Sequence, residues 1–418
     1  MSLQNHKGMR SRRRSSEYAK SLTLENRSVA TRSITDTYLS LVLTFGQRCL
    51  YTRYPETSVI SCGITGKYRF WRKSKPDAPL IWNNSIQPIL RIKSGETVTF
   101  DCLDASNGQI TPSATAATIS SLSFSSLDQV NGPIYVEGAF PGDTLKVEVL
   151  SIETADWGWT ACIPGFGLLS DEYPEPALKI WKLDKQGCFA YFDESKRIKI
   201  PLKPFAGEMG VARGEKGAFS TIPPYNTGGN IDTKHVTAGA TLYLPIEVEG
   251  ALFSVGDGHA AQGDGGTFSL SNFSFLTGFD WACRGTAIET PISVELRLSI
   301  IKDRPYTKTP HFQTAVTNIS GEEYYCTTGV EPDLREAARA ALRHMITYLG
   351  QNYNLDPVNA YMLCSIAGDL RIHELVREWS ITGSDVFLRH ADLSDDCYLQ
   401  VDMPNYVVGM MMPKSIFI

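Results

Sequence analysis

No stretch of the chain approaches the ~18 consecutive apolar residues needed to cross a bilayer, so a spanning helix is excluded. GxGxxG, the P-loop, GxSxG and HExxH are all missing. Their absence removes the common signatures of dinucleotide binding, phosphate cradling, serine hydrolysis on a nucleophile elbow and helix-borne zinc proteolysis. The acidic spacing around 257–265 lacks the late Glu of an EF-hand loop. Cysteines number nine (49, 62, 102, 162, 188, 283, 326, 364, 397), with no CxxC pair and no regular spacing. An odd, dispersed set argues against a disulfide framework and for a reducing compartment, here the cytoplasm. None sits in a nucleophile-like context beside a His, which speaks against a thiol hydrolase. A net charge of −5 gives no basic surface for nucleic acid.

What is present is an ordinary globular composition: 418 residues, 42% hydrophobic and 20% charged, enough for a large core. Residues 1–75 stand apart, with 15 Lys+Arg against 4 Asp+Glu, or +11, leaving −16 for the rest. Arg10-Ser11-Arg12-Arg13-Arg14 is basic and Ser-rich, and no apolar stretch follows it as a secretory signal requires. The expectation is a basic, disordered leader over 1–78 and one catalytic body over 79–418, β-rich to 330 and helical from 331. Strand-like runs at 89–92, 96–102, 134–137, 145–152, 241–248 and 296–301 are separated by turn signals such as Ser94-Gly95 and Pro141-Gly142-Asp143. Apolar residues at 334, 338, 341, 342, 345, 346 and 349 describe one helical face, with Gly350 placed to end it. Asp356-Pro357 reads as an N-cap and N1 of a second helix over 358–367, apolar and expected to be buried.

The chemistry concentrates in Ala251–Gly266, ALFSVGDGHAAQGDGG. An apolar run breaks into a glycine-rich loop that carries Asp257, His259, Gln262 and Asp264. If the strand continues, Asp257 and His259 stand at i and i+2 on one face, and a carboxylate beside an imidazole suits a divalent metal such as zinc. Phe205–Gly210 and Gly228–Asp232 each set polar groups in a glycine-rich turn: Glu208, Asn230 and Asp232. Trp157–Leu169 is aromatic and glycine-rich, either a packed loop or the wall of an apolar pocket.

Several long strings, in order, resemble the acetamidase/formamidase family: SGETVTFDCLDASNGQI (94–110), NGPIYVEGA (131–139), PGD (141–143), PGFGLL (164–169), GEMG (207–210), GGNIDTKH (228–235), GDGHAAQGDG (256–265) and GTAIE (285–289). The stretch LLSDEYPEPALKIW looks like fungal members. The resemblance implies an α+β, β-rich fold: a β-sandwich core with a smaller C-terminal α/β part. It implies a bound metal and hydrolysis of short amides, formamide or acetamide, to ammonia and a carboxylic acid. The expected partners are such an amide and further copies of the chain in a homo-oligomer, with no nucleic acid and no membrane.

Zinc suits such a reaction, because it both acidifies water and polarises a carbonyl. Asp257 and His259 are the first candidate ligands, with Asp232 and Asp264 next. Glu208 or Glu289 is the candidate general base, and Glu137 a further candidate catalytic residue. Trp157, Trp159 and Phe166 are candidates to wall a small pocket, with Asn230 and Gln262 to hold the amide. The likeness is interrupted where family members read Glu and this chain has Gly266, and by extra segments at 267–284 and 377–400. These departures leave a second expectation open: a catalytically impaired relative, or a small-ligand-binding protein on the same fold.

Overall fold

The computed structural model describes residues 49–53, 57–62, 67–72, 80–164, 172, 174–195, 197–264, 286–316, 323–375, 399–400 and 405–417. Of the two compact units of the chain, Met1–Gly46 lies wholly outside them; the second, Gln47–Ile418, holds everything below. Phe166, Gly266, the segment 267–284 and nearly all of 377–400 also fall outside the described residues.

The strands begin with β1 (Cys49–Arg53), β2 (Thr57–Cys62), β3 (Lys67–Arg72), β4 (Ile81–Trp82), β5 (Leu90–Lys93) and β6 (Thr97–Cys102). After the short helix α1 (Ala116–Ile119) come β7 (Val130–Glu137), β8 (Thr144–Thr154), β9 (Trp157–Cys162), β10 (Ala177–Asp184), β11 (Phe189–Asp193) and β12 (Ile198–Pro201). The middle of the chain adds β13 (Phe205–Val211), β14 (Ala218–Ser220), β15 (Pro224–Tyr225), β16 (Gly228–Asn230), β17 (Thr241–Pro245) and β18 (Phe253–Ala261). Then β19 (Ile288–Glu289), β20 (Ile292–Ile301), β21 (His311–Gln313) and β22 (Tyr324–Glu331) lead to helices α2 (Leu334–Tyr353) and α3 (Pro357–Ala367). β23 (Asp369–Leu375), β24 (Leu399–Gln400) and β25 (Tyr406–Pro413) follow.

One sheet has the order β1-β2-β3-β6-β20-β8-β17-β21-β22-β25-β23. The other runs β12-β11-β10-β9-β19-β18-β13-β16-β15, with β7 also paired to β18 and β5 to β7. The pairing is antiparallel apart from β3 with β6, β5 with β7 and β14 with β24. Alternation explains the layers. In β8, Leu145, Val147 and Val149 are buried while Lys146 and Glu148 lie half out. Val98, Phe100, Leu242 and Leu296 of the first sheet meet Ile134, Met209, Phe253 and Val255 of the second in one core, with Phe100 edge-on to Phe253 at 6.2 Å. The architecture is thus β-rich α+β, two large sheets face to face, each full side-chain burial contributing about 1.5–3 kcal/mol.

Residues 49–72, which charge assigned to the leader, form three strands here, and β3 pairs along β6. Runs such as TSVISC and KYRFWR are rich in β-branched and aromatic residues, a local preference that a charge count does not register. Helix α2 starts where expected, Asp333 accepting from the Glu336 N–H at 2.9 Å, but runs past Gly350 to a left-handed Asn354. Its small face lies on β22, where a side chain at Gly329 would meet the Ala337 carbonyl. α3 has the expected Asp356 cap, yet it is not buried: Val358, Tyr361, Met362 and Ile366 are exposed, and only Ala360 and Cys364 are covered. Apolar composition alone does not say how many sides of a helix find a partner. The C-terminal region is not separate, since β25 lies between β22 and β23 in the first sheet, with Met410, Met411 and Met412 in its core.

A carboxylate-rich candidate metal centre

The expected glycine loop at 256–261 is a strand. All nine residues of β18 are buried, and its glycines serve close packing rather than a turn. A Cβ at Gly256 would fall 2.3 Å from the Gln129 carbonyl oxygen, and one at Gly258 would fall 2.2 Å from that of Thr290. GEMG and GGN are likewise strands, β13 and β16, and Trp157–Cys162 is strand β9. Short glycine-rich segments read as turns because nothing local reveals a neighbouring backbone at contact distance.

Register assembles the site. Phe205, His259, Glu289 and Trp159 are cross-strand partners in succession over β13, β18, β19 and β9. Glu208 stands opposite both Asn230 and Gly256. His259 Nε2 lies 3.1 Å from Asp257 Oδ2 and 2.9 Å from Glu289 Oε2, and Nδ1 lies 3.8 Å from Asp232 Oδ1. The donor atoms of Asp232, Asp257 and His259 all lie within 4.8 Å of one another. Gly207 forms the floor: a Cβ there would sit 2.3 Å from Asp257 Oδ2, 2.5 Å from Asp232 Oδ1 and 2.8 Å from His259 Cε1. Asp257 (φ 51°) and Asp232 (φ 43°) are held left-handed, a conformation costing about 1–2 kcal/mol for a residue with a Cβ.

The electrostatics are one-sided. Asp257, Glu289, Glu208 and Asp128 are buried, and Asp232 nearly so. Among the described residues, the ion pairs of Asp232, Asp257 and Glu289 are all with His259. Burial, then the charges of Asp128, Asp257 and Asp232, drives the Glu208 carboxyl well above its ordinary range. Asp128 is driven the same way by burial and by Asp257, Glu289 and Asp232. Burial is also the largest influence on Glu289; the nearby His259 pulls the other way, Asp257 adds to burial, and the result is about 8. Burial of the His259 ring favours neutrality, but Asp257, Glu289 and Asp232 together outweigh it and raise its pKa well above the usual imidazole value.

This donor set fits a divalent cation. Both oxygens of Glu208, Oδ1 of Asp232, Oδ1 of Asp257 and Nδ1 of His259 are buried without a hydrogen-bond partner among the described residues. Such atoms are costly in a protein interior unless an ion or solvent satisfies them. Carboxylates and an imidazole around a space kept open by Gly207 match zinc's oxygen and nitrogen preferences.

The other expected residues divide. Asp264 is held elsewhere, by Lys234 at 2.9 Å and Arg371 at 3.0 Å; burial opposes these cations, which nevertheless hold its carboxyl below its usual range. Glu137 is exposed at the end of β7 and does not join the cluster. Trp159 is buried in the Glu289 row, while Trp157 is half-buried, its carbonyl accepting from the Thr290 hydroxyl at 2.6 Å. Asn230 donates to the Ile222 carbonyl at 2.9 Å, and Gln262 to the Asp232 carbonyl at 3.4 Å. Sequence reasoning missed Gly207, Asp128 and Glu374. Glu374 is buried, carried by β23 and hydrogen-bonded to the Asp232 side chain. A β-bulge at Ile372/Glu374 lets His373 and Glu374 both turn inward, and no sequence pattern announces it. Asp128, three residues before the NGPIYVEGA string, is held left-handed (φ 53°), a conformation the sequence does not announce.

The Acetamidase/Formamidase family description matches residues 72–216 and 211–378. The chain belongs to this family. It is 25% identical over 394 residues to a formamidase of Methylophilus methylotrophus, covering 80% of this chain and 88% of that protein. Over 370 residues it is 25% identical to an acetamidase of Mycolicibacterium smegmatis, covering 73% and 83%. A crystal structure of an acetamidase from Bacillus halodurans matches with a TM-score of 0.65 at 27% identity, covering 84% of this chain and 98% of that one. The family match thus takes in every member of the cluster, from Asp128 on β7's approach to Glu374, and ends at residue 378, two residues into the second extra segment.

Proposed function

We propose that the chain hydrolyses primary carboxamides to a carboxylic acid and ammonia, with a divalent ion, zinc, held by Asp232, Asp257 and His259. The observation that carries this reading is the convergence of those three side chains over Gly207, with buried donor atoms left unpaired. A bound zinc ion supplies Lewis acidity toward the carbonyl and acidifies water to a pKa of about 7.

The chain's own groups do the rest. Glu289, 2.9 Å from His259 Nε2, holds the imidazole in orientation. Glu208, whose carboxyl has no hydrogen-bond donor among the described residues, takes a proton from the attacking water and returns it to the nitrogen as the C–N bond breaks. Burial and its acidic neighbours raise its proton affinity above that of an ordinary carboxylate, the direction that makes a carboxyl a stronger base. Buried strands on both sides of β18 keep bulk water from the centre. A cytoplasmic location is supported by the free thiols of Cys102, Cys162, Cys188, Cys326 and Cys364. Assembly into a homo-oligomer is supported by the exposed apolar residues of α3.

The test is ammonia release from formamide and acetamide by the purified chain, with and without a chelator. Release that chelation abolishes and added zinc restores is the expected result. A folded, zinc-loaded protein that releases no ammonia would overturn the amidase reading and leave a small-ligand-binding protein.

A further inference from the structure

Beside the acidic centre lies a cavity of about 420 Å³, walled by Trp181, Phe192, Ile200, Ala261, Gln262 and Ile288. Its walls continue the site. Ala261 follows His259 by two residues on β18 and pairs with Ile288, which immediately precedes Glu289. Gln262 touches both compartments: its Nε2 donates to the Asp232 carbonyl at 3.4 Å, and its side chain also reaches the Asp232 carboxylate. Its Oε1 is buried without a partner, an acceptor free for an amide N–H. Trp181 spends its N–H on the Thr160 hydroxyl at 2.8 Å, and Lys179 Nζ lies 4.7 Å from its ring centroid, so the rest of the ring serves as an apolar wall. Phe192, 5.8 Å from Trp181, is 51% exposed at the rim.

Pockets of about 300–1,000 Å³ hold drug-sized ligands. Formamide and acetamide, with three and four non-hydrogen atoms, would leave most of this space to water against Trp181, Phe192, Ile200 and Ile288, with Lys203 and Lys234 also lining it. We infer that the cavity receives the acyl group of the substrate, and that the preferred substrates are primary amides with a bulky apolar acyl group, aromatic or branched. This rests on the amidase reading and narrows it. The amide end reaches Gln262 and the acidic centre; the hydrocarbon end lies against Trp181, Phe192 and Ile200, where its burial gives the discrimination.

The experiment measures ammonia release by the zinc-loaded full chain from acetamide, isovaleramide and phenylacetamide. The expected kcat/KM for phenylacetamide exceeds that for acetamide by tenfold or more. Ile200→Trp, which fills the cavity, and Phe192→Ala, which removes an exposed wall, should each lower the phenylacetamide-to-acetamide ratio, the first at least tenfold. A wild-type preference for acetamide, or a ratio unmoved by both substitutions, overturns the inference. If no amide is hydrolysed, the amidase reading fails, and calorimetry with phenylacetamide then decides the cavity's role. Saturable binding lost in Ile200→Trp supports it, and no binding, or binding indifferent to the substitution, overturns it.

Discussion

His259 and His373 are equally buried, each 2% exposed, yet the fold drives them in opposite directions. For His373 burial is the largest influence and the neighbouring His235 adds to it, so the ring stays neutral, with a pKa of about 3. It is wedged between Cys326 Sγ, 3.9 Å from Nε2, and the backbone of Gly409, where a Cβ would collide with the ring. His311, under α2, is also pushed down by burial and by the charges of His344 and Arg304. His259 experiences the same burial but faces three carboxylates, and they win. Desolvation sets a common penalty on charge, and local charges decide whether it is overcome. A core histidine without carboxylates is scaffold. One ringed by more carboxylates than it can neutralise belongs to a site that wants a further positive charge.

The largest effect should come from breaking the acidic side of this contrast. Asp257→Ala and His259→Ala should each strip the metal and lower amidase turnover by on the order of 100-fold or more while the chain stays folded. Elemental analysis checks it, and full occupancy in the double mutant would dismiss the assignment. Next is Gly207→Ala, which adds one methyl group where 2.3 Å separates it from Asp257 Oδ2. Metal affinity should fall at least tenfold, as for changes that disturb ligand orientation, whereas Gly409→Ala should cost stability and spare metal affinity.

Acid–base behaviour sharpens the comparison further. In the metal-free chain, Glu289 holds its proton up to about 8 in the fold, against 4.5 for an ordinary Glu. The folded state therefore binds more protons between those values, and stability should fall as pH rises from 4.5 to 8. His373 and His235 work in the other window. Their folded values, about 3 and about 4, lie below the ordinary 6.5, so the stability they contribute is full above 6.5 and lost as pH falls toward those values. Thermal melts of chelated protein should thus show an optimum in mildly acidic buffer, and saturating zinc should remove the decline toward pH 8. A melting temperature rising steadily from pH 5 to 8 without metal would contradict the buried-carboxyl account. The smallest effect is expected at the N-terminus: a chain starting at Gln47 should melt with the full protein, whereas one starting at Asp77 uncovers the edge of β6 and should melt lower.

Much of the framework was legible. Alternation placed the core strands, and Asp333 and Asp356 marked both helix starts. Asp257 and His259 were legible as a pair because their spacing needs only one strand. Glu208 and Glu289 were legible as residues but not as neighbours of His259, since register between distant strands is not written in either. Asp264 misled because a glycine-rich context looks alike whether its acid meets a metal or, as here, Lys234 and Arg371. Gly207 was invisible because its importance lies in an atom it lacks.

The bulge in β23 ties the centre to a part of the chain made late in synthesis. Asp128 and Glu374 are 246 positions apart, and between them Glu208, Asp257 and Glu289 arrive on different strands and Asp232 on the segment after β16. Long loops must close before any of these carboxylates meets another, which makes such a topology slow to fold. An emerging chain therefore carries no preformed cage, and on the proposed function ion capture follows, rather than guides, assembly of the two sheets. Refolding in the presence of zinc should yield more native protein at equilibrium without a faster main folding phase.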